Sequence, residues 1–160
     1  MTDIAQQRLQ DAWRQCRKHL HHLRHALRSL QERLPLSGRG LAAMDDEGIQ
    51  DLDQFVLRFG KLQDAIGTRL LPSVLDYLQE PFEDLPMIDK LNRLEKLGFL
   101  ESAEQWQQLR AIRNRFAHDY PDDHDKNAAL LNLAIGSVDE LIDLLRRIEE
   151  KLDLPALDSH

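Results

Sequence analysis

Apolar residues recur along the first third of the chain at Trp13, Cys16, Leu20, Leu23, Leu27, Leu30 and Leu34. This alternation of three and four residues is the signature of one buried helical face. It predicts a long amphipathic helix from about Asp3 to Leu34, broken by Pro35 and the Ser37-Gly38-Arg39-Gly40 stretch. A second helix is expected to start at Asp45 or Asp46, either of which can cap it. Its buried residues would be Ile49, Leu52, Phe55, Val56, Phe59, Leu62 and Ile66, with a kink from Gly67 and Pro72 before Leu78. Pro81 and Pro86 bracket a loop, and a short third helix carries Ile88, Leu91 and Leu94 up to a stop at Gly98. Ser102, with Gln105 three positions on, forms a capping-box pattern for a fourth helix. Pro121 is expected to end that helix, because the residue before a proline is pushed out of the α region. The spacing Leu131, Ile135, Val138, Leu141 or Ile142, Leu145, Ile148, Leu152 predicts a last helix from about Asp125 to Leu152.

No apolar alternation of period two is present, nor any long internal repeat. The expected fold is all-α, an up-and-down bundle of four to five helices. A chain of 160 residues holds one well-buried core and is too short for two ordinary domains, so residues 1–160 are expected to form a single domain with residues 155–160 as a flexible tail. The N-terminus has no apolar signal core and no apolar run is long enough for a membrane span, which makes a cytoplasmic protein with no membrane partner the expectation. Cys16 is the sole cysteine, so it has no internal disulfide partner and reads as a small core hydrophobe.

The net charge of −7 disfavours a broad nucleic-acid-binding surface, since phosphate contacts need clustered Lys and Arg. The charge is unevenly placed, however. Residues 1–40 hold eight basic side chains against three acids and the rest of the chain is correspondingly acidic. A basic first helix on an acidic body can hold an RNA backbone, dock an acidic partner, or balance charge within the molecule.

The fourth helix carries the most distinctive polar residues. At about 100° per residue, Leu109, Ile112 and Phe116 form its core stripe, and Asn114 and His118, one turn apart, fall roughly opposite. Arg113 and Tyr120 lie near the edge of that stripe. A straight helix would set Arg113 and His118 about 140° apart. For both to act on one phosphate, either the helix deforms ahead of Pro121 or a two-fold dimer brings two copies of the segment together.

The run Arg113-Asn114-Arg115-Phe116-Ala117-His118-Asp119-Tyr120, read as Arg-x4-His-x-Tyr with Asn directly after the Arg, resembles the signature of the HEPN superfamily. It is most similar to HepT-like toxins encoded beside a minimal nucleotidyltransferase antitoxin, and the bundle with one long helix after the motif is HEPN-like too. The resemblance implies a metal-independent endoribonuclease that needs no cofactor and cleaves RNA by attack of the ribose 2′-OH on the adjacent phosphate. His118 would move the proton, since an unperturbed imidazole titrates near pH 6.5 and so can take or give one at neutral pH. Arg113 would grip the phosphorane-like transition state through its fixed guanidinium fork. Asn114 would orient His118 or bond the phosphate, and a homodimer would supply two histidines. Tyr120 would be the residue to which the nucleotidyltransferase attaches AMP, silencing the nuclease.

A plainer reading stays open, in which Arg113 pairs with an acid, Tyr120 packs as the last core residue of its helix, and the chain is a non-catalytic helical module or a substrate protein for a nucleotidyltransferase. His19, His21, His22 and His25 fall mainly on the outer side of the first helix and no carboxylate or cysteine completes a metal set nearby, so a solvated basic face is expected and no metal site. The acidic runs Asp45-Asp46-Glu47, Asp51 with Asp53, and Asp122-Asp123 with Asp125 lack calcium-loop spacing and read as helix caps and first-turn charges.

Overall fold

The computed structural model describes residues 4–116 and 123–157, and among these there are helices and turns and no strand. In chain order the helices are α1 (Ile4–Leu30), α2 (Gly38–Ala42), α3 (Asp46–Ala65), α4 (Leu71–Tyr77), α5 (Met87–Lys96), α6 (Ala103–Arg115) and α7 (His124–Leu152). The expected all-α bundle is what forms. α1, α3, α6 and α7 are its long members.

Cross-helix contacts fix the directions. Arg33, just beyond α1, meets Asp45 at 3.0 Å, while Arg8 near its start lies 3.9 Å from Asp76 in α4, so α1 and the α3–α4 arm run antiparallel. Trp13 Nε1 donates to the Pro155 carbonyl at 2.8 Å and the Leu36 amide donates to Asn132 Oδ1 at 2.9 Å, which sets α7 antiparallel to α1. Gln63 Nε2 donates to the Leu109 carbonyl and Trp106 lies against Gly67, so α6 runs against α3. The four long helices therefore go up, down, up and down.

Inside the bundle Trp13, Phe55, Phe59, Leu23, Leu62, Leu70 and Leu145 are almost fully buried. Phe59 is the hub, stacked on Phe55 with centroids 5.6 Å apart and edge-on to Phe116 at 6.1 Å. Removing such a ring costs about 3–5 kcal/mol. The helix starts follow the sequence chemistry. Asp45 accepts from the Gly48 amide and Ser102 from the Gln105 amide, both at 2.9 Å. Gly98, at φ 86°, takes the left-handed turn that ends α5, a conformation strained for any residue with a Cβ.

Several expectations need correction. α1 ends at Leu30 and continues as a 3-10 turn, Gln31–Arg33, rather than as one helix to Leu34. The Ser37-Gly38-Arg39-Gly40 break is itself capped into α2: Ser37 accepts from the Gly40 amide at 2.9 Å, and buried Gly38 lies so close to Asp125 that a side chain there would collide with it. Ile49, assigned to a buried stripe, is 44% exposed, and Ile88 of the third helix is 42% exposed. The kink at Gly67 and Pro72 takes the form of a π-helical stretch, Ile66–Leu70, before α4. Extra residues in that turn let the helix bend while Trp106 closes on Gly67, where an added Cβ would sit 3.1 Å from the indole. The chain after Pro155, expected to fray, is held as far as Leu157, which is buried and whose amide donates to Glu149 Oε2 at 3.4 Å.

Candidate functional site

α6 begins firmly. Its Ser102 cap is reinforced by Glu95, whose Oε1 accepts from the Ala103 amide at 2.7 Å. The expected return bond from Gln105 goes elsewhere: its Nε2 donates to Glu101 at 3.1 Å. Trp106 and Leu109 are buried, with Ile112 and Phe116 packed against the core at its edge. The described part of the helix runs to Arg115 with Phe116 in the turn after it, and the expected end near Pro121 lies outside the described residues. The Phe116 amide donates to the Arg113 carbonyl at 3.2 Å, a tightened last turn, and Arg113 and Arg115 place positive charge at the negative end of the helix dipole. His118 and Tyr120 lie outside the described residues, and so does Asp119. The ideal-wheel angle between Arg113 and His118 therefore extends a helix beyond its last described turn.

Arg113 is half-buried and faces α3, at the edge of the core stripe as expected. Its guanidinium lies over Gly60 and donates through Nη2 to Asp64 Oδ2 at 3.2 Å. Arg110, one turn earlier, donates through Nη1 to the other oxygen, Asp64 Oδ1, at 3.0 Å. One carboxylate thus orders two guanidinium groups. Burial, the largest influence on Asp64, raises its pKa, but the hydrogen bonds and charges of Arg113 and Arg110 together outweigh it and leave the group below the ordinary carboxylate range. Asp64 stays ionised and the cluster keeps one net positive charge. Arg113 Nε is buried with no hydrogen-bond partner among the described residues, so this guanidinium retains donor capacity that Asp64 does not use.

Below this pair the buried amide of Gln63 is tied to α6 by its Nε2 bond of 3.0 Å to the Leu109 carbonyl. Gln63 and Asp64, neighbours in sequence, join α3 to α6 at two adjacent points. Asn114 takes a different direction from Arg113. It is exposed and lines a cleft of about 410 Å³ with Gly67, Thr68, Met87, Trp106 and Arg110. Arg110 links the two, bonding Asp64 while bordering the cleft. The structure brings Arg113 and Asn114 to one end of α6 on adjoining sides of the helix.

Asp64 and Arg110 are the members of this cluster that sequence reasoning missed. Arg110 precedes Arg113 by three residues and so shares its face, a signal present in the chain. Asp64 gives no such signal, because nothing local in α3 says which helix it will meet. Among the described residues no cluster of His, Cys, Asp and Glu could hold a metal ion, and no helix is long and apolar enough to cross a membrane.

No protein-family model, curated protein or solved structure matches this chain.

Proposed function

We propose that this protein is a metal-independent endoribonuclease of the HEPN type, the toxin of a toxin–antitoxin pair, in which Arg113 and His118 act on the RNA phosphate. The observation that carries the reading is the preordered Arg113. Its guanidinium is half-buried, fixed through one nitrogen by Asp64, and its buried Nε has no partner among the described residues, in the last described turn of the helix before the His118 segment. A positioned cation with spare donors suits a phosphate whose negative charge grows in the transition state. The net positive charge of the Arg110–Asp64–Arg113 cluster favours the same ligand.

In this reading the ribose 2′-OH attacks the adjacent phosphorus, the bond to the 5′-oxygen breaks, and the products are a 2′,3′-cyclic phosphate and a free 5′-hydroxyl. His118 takes the 2′-OH proton, and a second His118 from a homodimer partner protonates the leaving oxygen. Asn114, exposed at the same helix end, bonds the phosphate or orients His118. Tyr120 receives AMP from a minimal nucleotidyltransferase antitoxin, and the added phosphate blocks the site.

The Arg113–Asp64 pair also favours a second reading, since a guanidinium already bonded to a carboxylate can be a helix-to-helix tie in a non-catalytic module. The two separate on expression in a bacterial host of the wild type, Arg113→Ala and His118→Ala, with the purified proteins incubated with RNA in EDTA. The ribonuclease reading expects growth arrest and cleavage by the wild type alone. Cleavage should fall by about 100-fold or more in each variant. A wild type that neither slows growth nor cuts RNA leaves the structural tie as the role of Arg113. Adenylylation on a residue other than Tyr120, mapped by peptide mass after incubation with a nucleotidyltransferase and ATP, removes Tyr120 from the account.

A further inference from the structure

Where α3 packs against α1, a second group of cations gathers, and no ion pair to a carboxylate is seen for Arg58 among the described residues. Arg58 Nη1 donates to His19 Nδ1 at 3.0 Å, and Arg58 Nε is buried with no hydrogen-bond partner among the described residues. Arginines elsewhere in the bundle, such as Arg33, Arg93, Arg110 and Arg113, each meet an acid. Lys18 and Lys61 stand exposed to either side, on α1 and α3, and His22 lies one turn along α1 from Lys18. Burial first, and then the fields of Arg58, Lys18, Lys61 and His22, lower the His19 pKa. Burial followed by Arg58, His21, Lys18 and His25 lowers that of His22. The charged neighbours with the largest effect on either imidazole are thus cationic or further histidines.

We infer that Lys18, His19, Arg58 and Lys61 form a phosphate-binding site for the backbone of single-stranded RNA; this rests on the ribonuclease reading. Like charges held together repel and cost stability unless an anion joins them. In a chain of net charge −7, a group of cations whose Arg58 has no acid partner among the described residues is where a polyanion can approach. Because His19 Nδ1 accepts from Arg58, its ring carries the proton on Nε2, which can donate to a phosphate oxygen. His19 is then a positioning residue for the Arg58 fork as well as a donor. Lys61 is on the same helix as Asp64, less than one turn away, so one strand can run from Lys18 over Lys61 toward the Arg110–Arg113 cluster.

The test is fluorescence anisotropy of the full chain with a 2′-O-methyl RNA twelve-mer, which has no free 2′-OH and cannot be cut, and in parallel with polyglutamate of the same charge. The double variant Lys18→Gln/Lys61→Gln changes two exposed side chains, and circular dichroism checks that it folds. Loss of two phosphate contacts should weaken RNA binding about 25-fold at 0.1 M salt and lower the slope of log affinity against log salt by about 1.4. Arg58→Gln should weaken binding in the same direction. Unchanged RNA affinity and slope in the double variant overturn the proposal, as does a wild type that does not bind the RNA. Loss confined to polyglutamate also overturns it, assigning the face to an acidic protein instead. Since the probe cannot be cleaved, these outcomes are independent of whether Arg113 and His118 perform catalysis.

Discussion

On the flank of α3 that faces α6, Asp64 receives Arg110 at 3.0 Å and Arg113 at 3.2 Å; on the flank that faces α1, Arg58 meets the imidazole of His19 at 3.0 Å and no acid among the described residues. Both flanks bring cations to a helix seam. In the first, a carboxylate orders them, so the charge is held in fixed geometry with a small positive remainder. In the second, an imidazole orders one guanidinium, and no carboxylate offsets its charge among the described residues. A helix-to-helix tie built by evolution for stability alone resembles the first arrangement, because an unpaired half-buried cation is a cost. The contrast separates groups that hold the bundle from groups proposed to meet an anion, and Arg113, with one nitrogen tied and its buried Nε without a partner among the described residues, stands between them.

The comparison can be broken most strongly from the core both flanks share. Phe59→Ala removes the ring stacked on Phe55 and edge-on to Phe116, and should lower unfolding free energy in urea by about 3–5 kcal/mol. A loss under about 1 kcal/mol would mean the seams do not depend on that hub. Next comes Asp64→Asn. With the Asp64 side chain 42% exposed and Arg113 31%, solvent screens the pair, and the expected loss is about 1 kcal/mol. Its pH window follows from the lowered pKa of Asp64. The contribution is complete above the ordinary carboxylate value of about 3.9 and is lost as pH falls through the lower folded value, so wild type and variant should converge in strong acid. A difference that persists there would locate the effect outside the ion pairs.

The α1 flank should respond less, and at a different pH. His19 is also lowered, so the folded state resists its protonation. Its contribution is complete above the ordinary histidine value of about 6.5 and declines as pH falls through the folded value. Arg58→Gln should shift stability at neutral pH by no more than about 0.5 kcal/mol and shrink that mildly acidic decline. A large destabilisation would make Arg58 a structural tie like Arg110. The smallest effect is at Cys16, where burial pushes the thiol pKa up to about 12. A disulfide-exchange reagent at neutral pH should leave it unmodified in the native protein and label it in urea; rapid native labelling would place it outside the core.

The helices were legible in the chain because their spacing and caps are local. Leu20, Leu23 and Leu30 are buried as the alternation of three and four requires, and Asp45 and Ser102 cap where their side chains can reach an amide three residues on. The last helix begins one residue before Asp125 because Asp123, rather than a later acid, accepts from the Lys126 amide. What spacing could not give is a partner on another helix. Gln63 is fully buried within a polar stretch of α3, held by a bond to Leu109, 46 residues away. Asp64 is invisible for the same reason. Ile49 sits on the apolar stripe of α3 yet is exposed, since a stripe says which way a residue points and not whether another element covers it. Of the proposed site, Arg113 and Asn114 were named from their motif and expected within a helix running to near Pro121; they lie in the last described turn of α6. The opposition of Arg113 to Asp64 needed the fold.

The account turns on whether the tied Arg113 works with His118 on RNA. Purified wild type, Arg113→Ala, His118→Ala and Asp64→Asn should be incubated with one RNA in EDTA and their cleavage rates compared, with folding of each checked by circular dichroism. The account predicts cyclic-phosphate products from the wild type, losses of about 100-fold or more in the Arg113 and His118 variants, and a smaller loss for Asp64→Asn, where both guanidinium groups remain but are no longer fixed. Folded wild type that leaves RNA intact, or a His118→Ala variant that cuts as fast as the wild type, would contradict it.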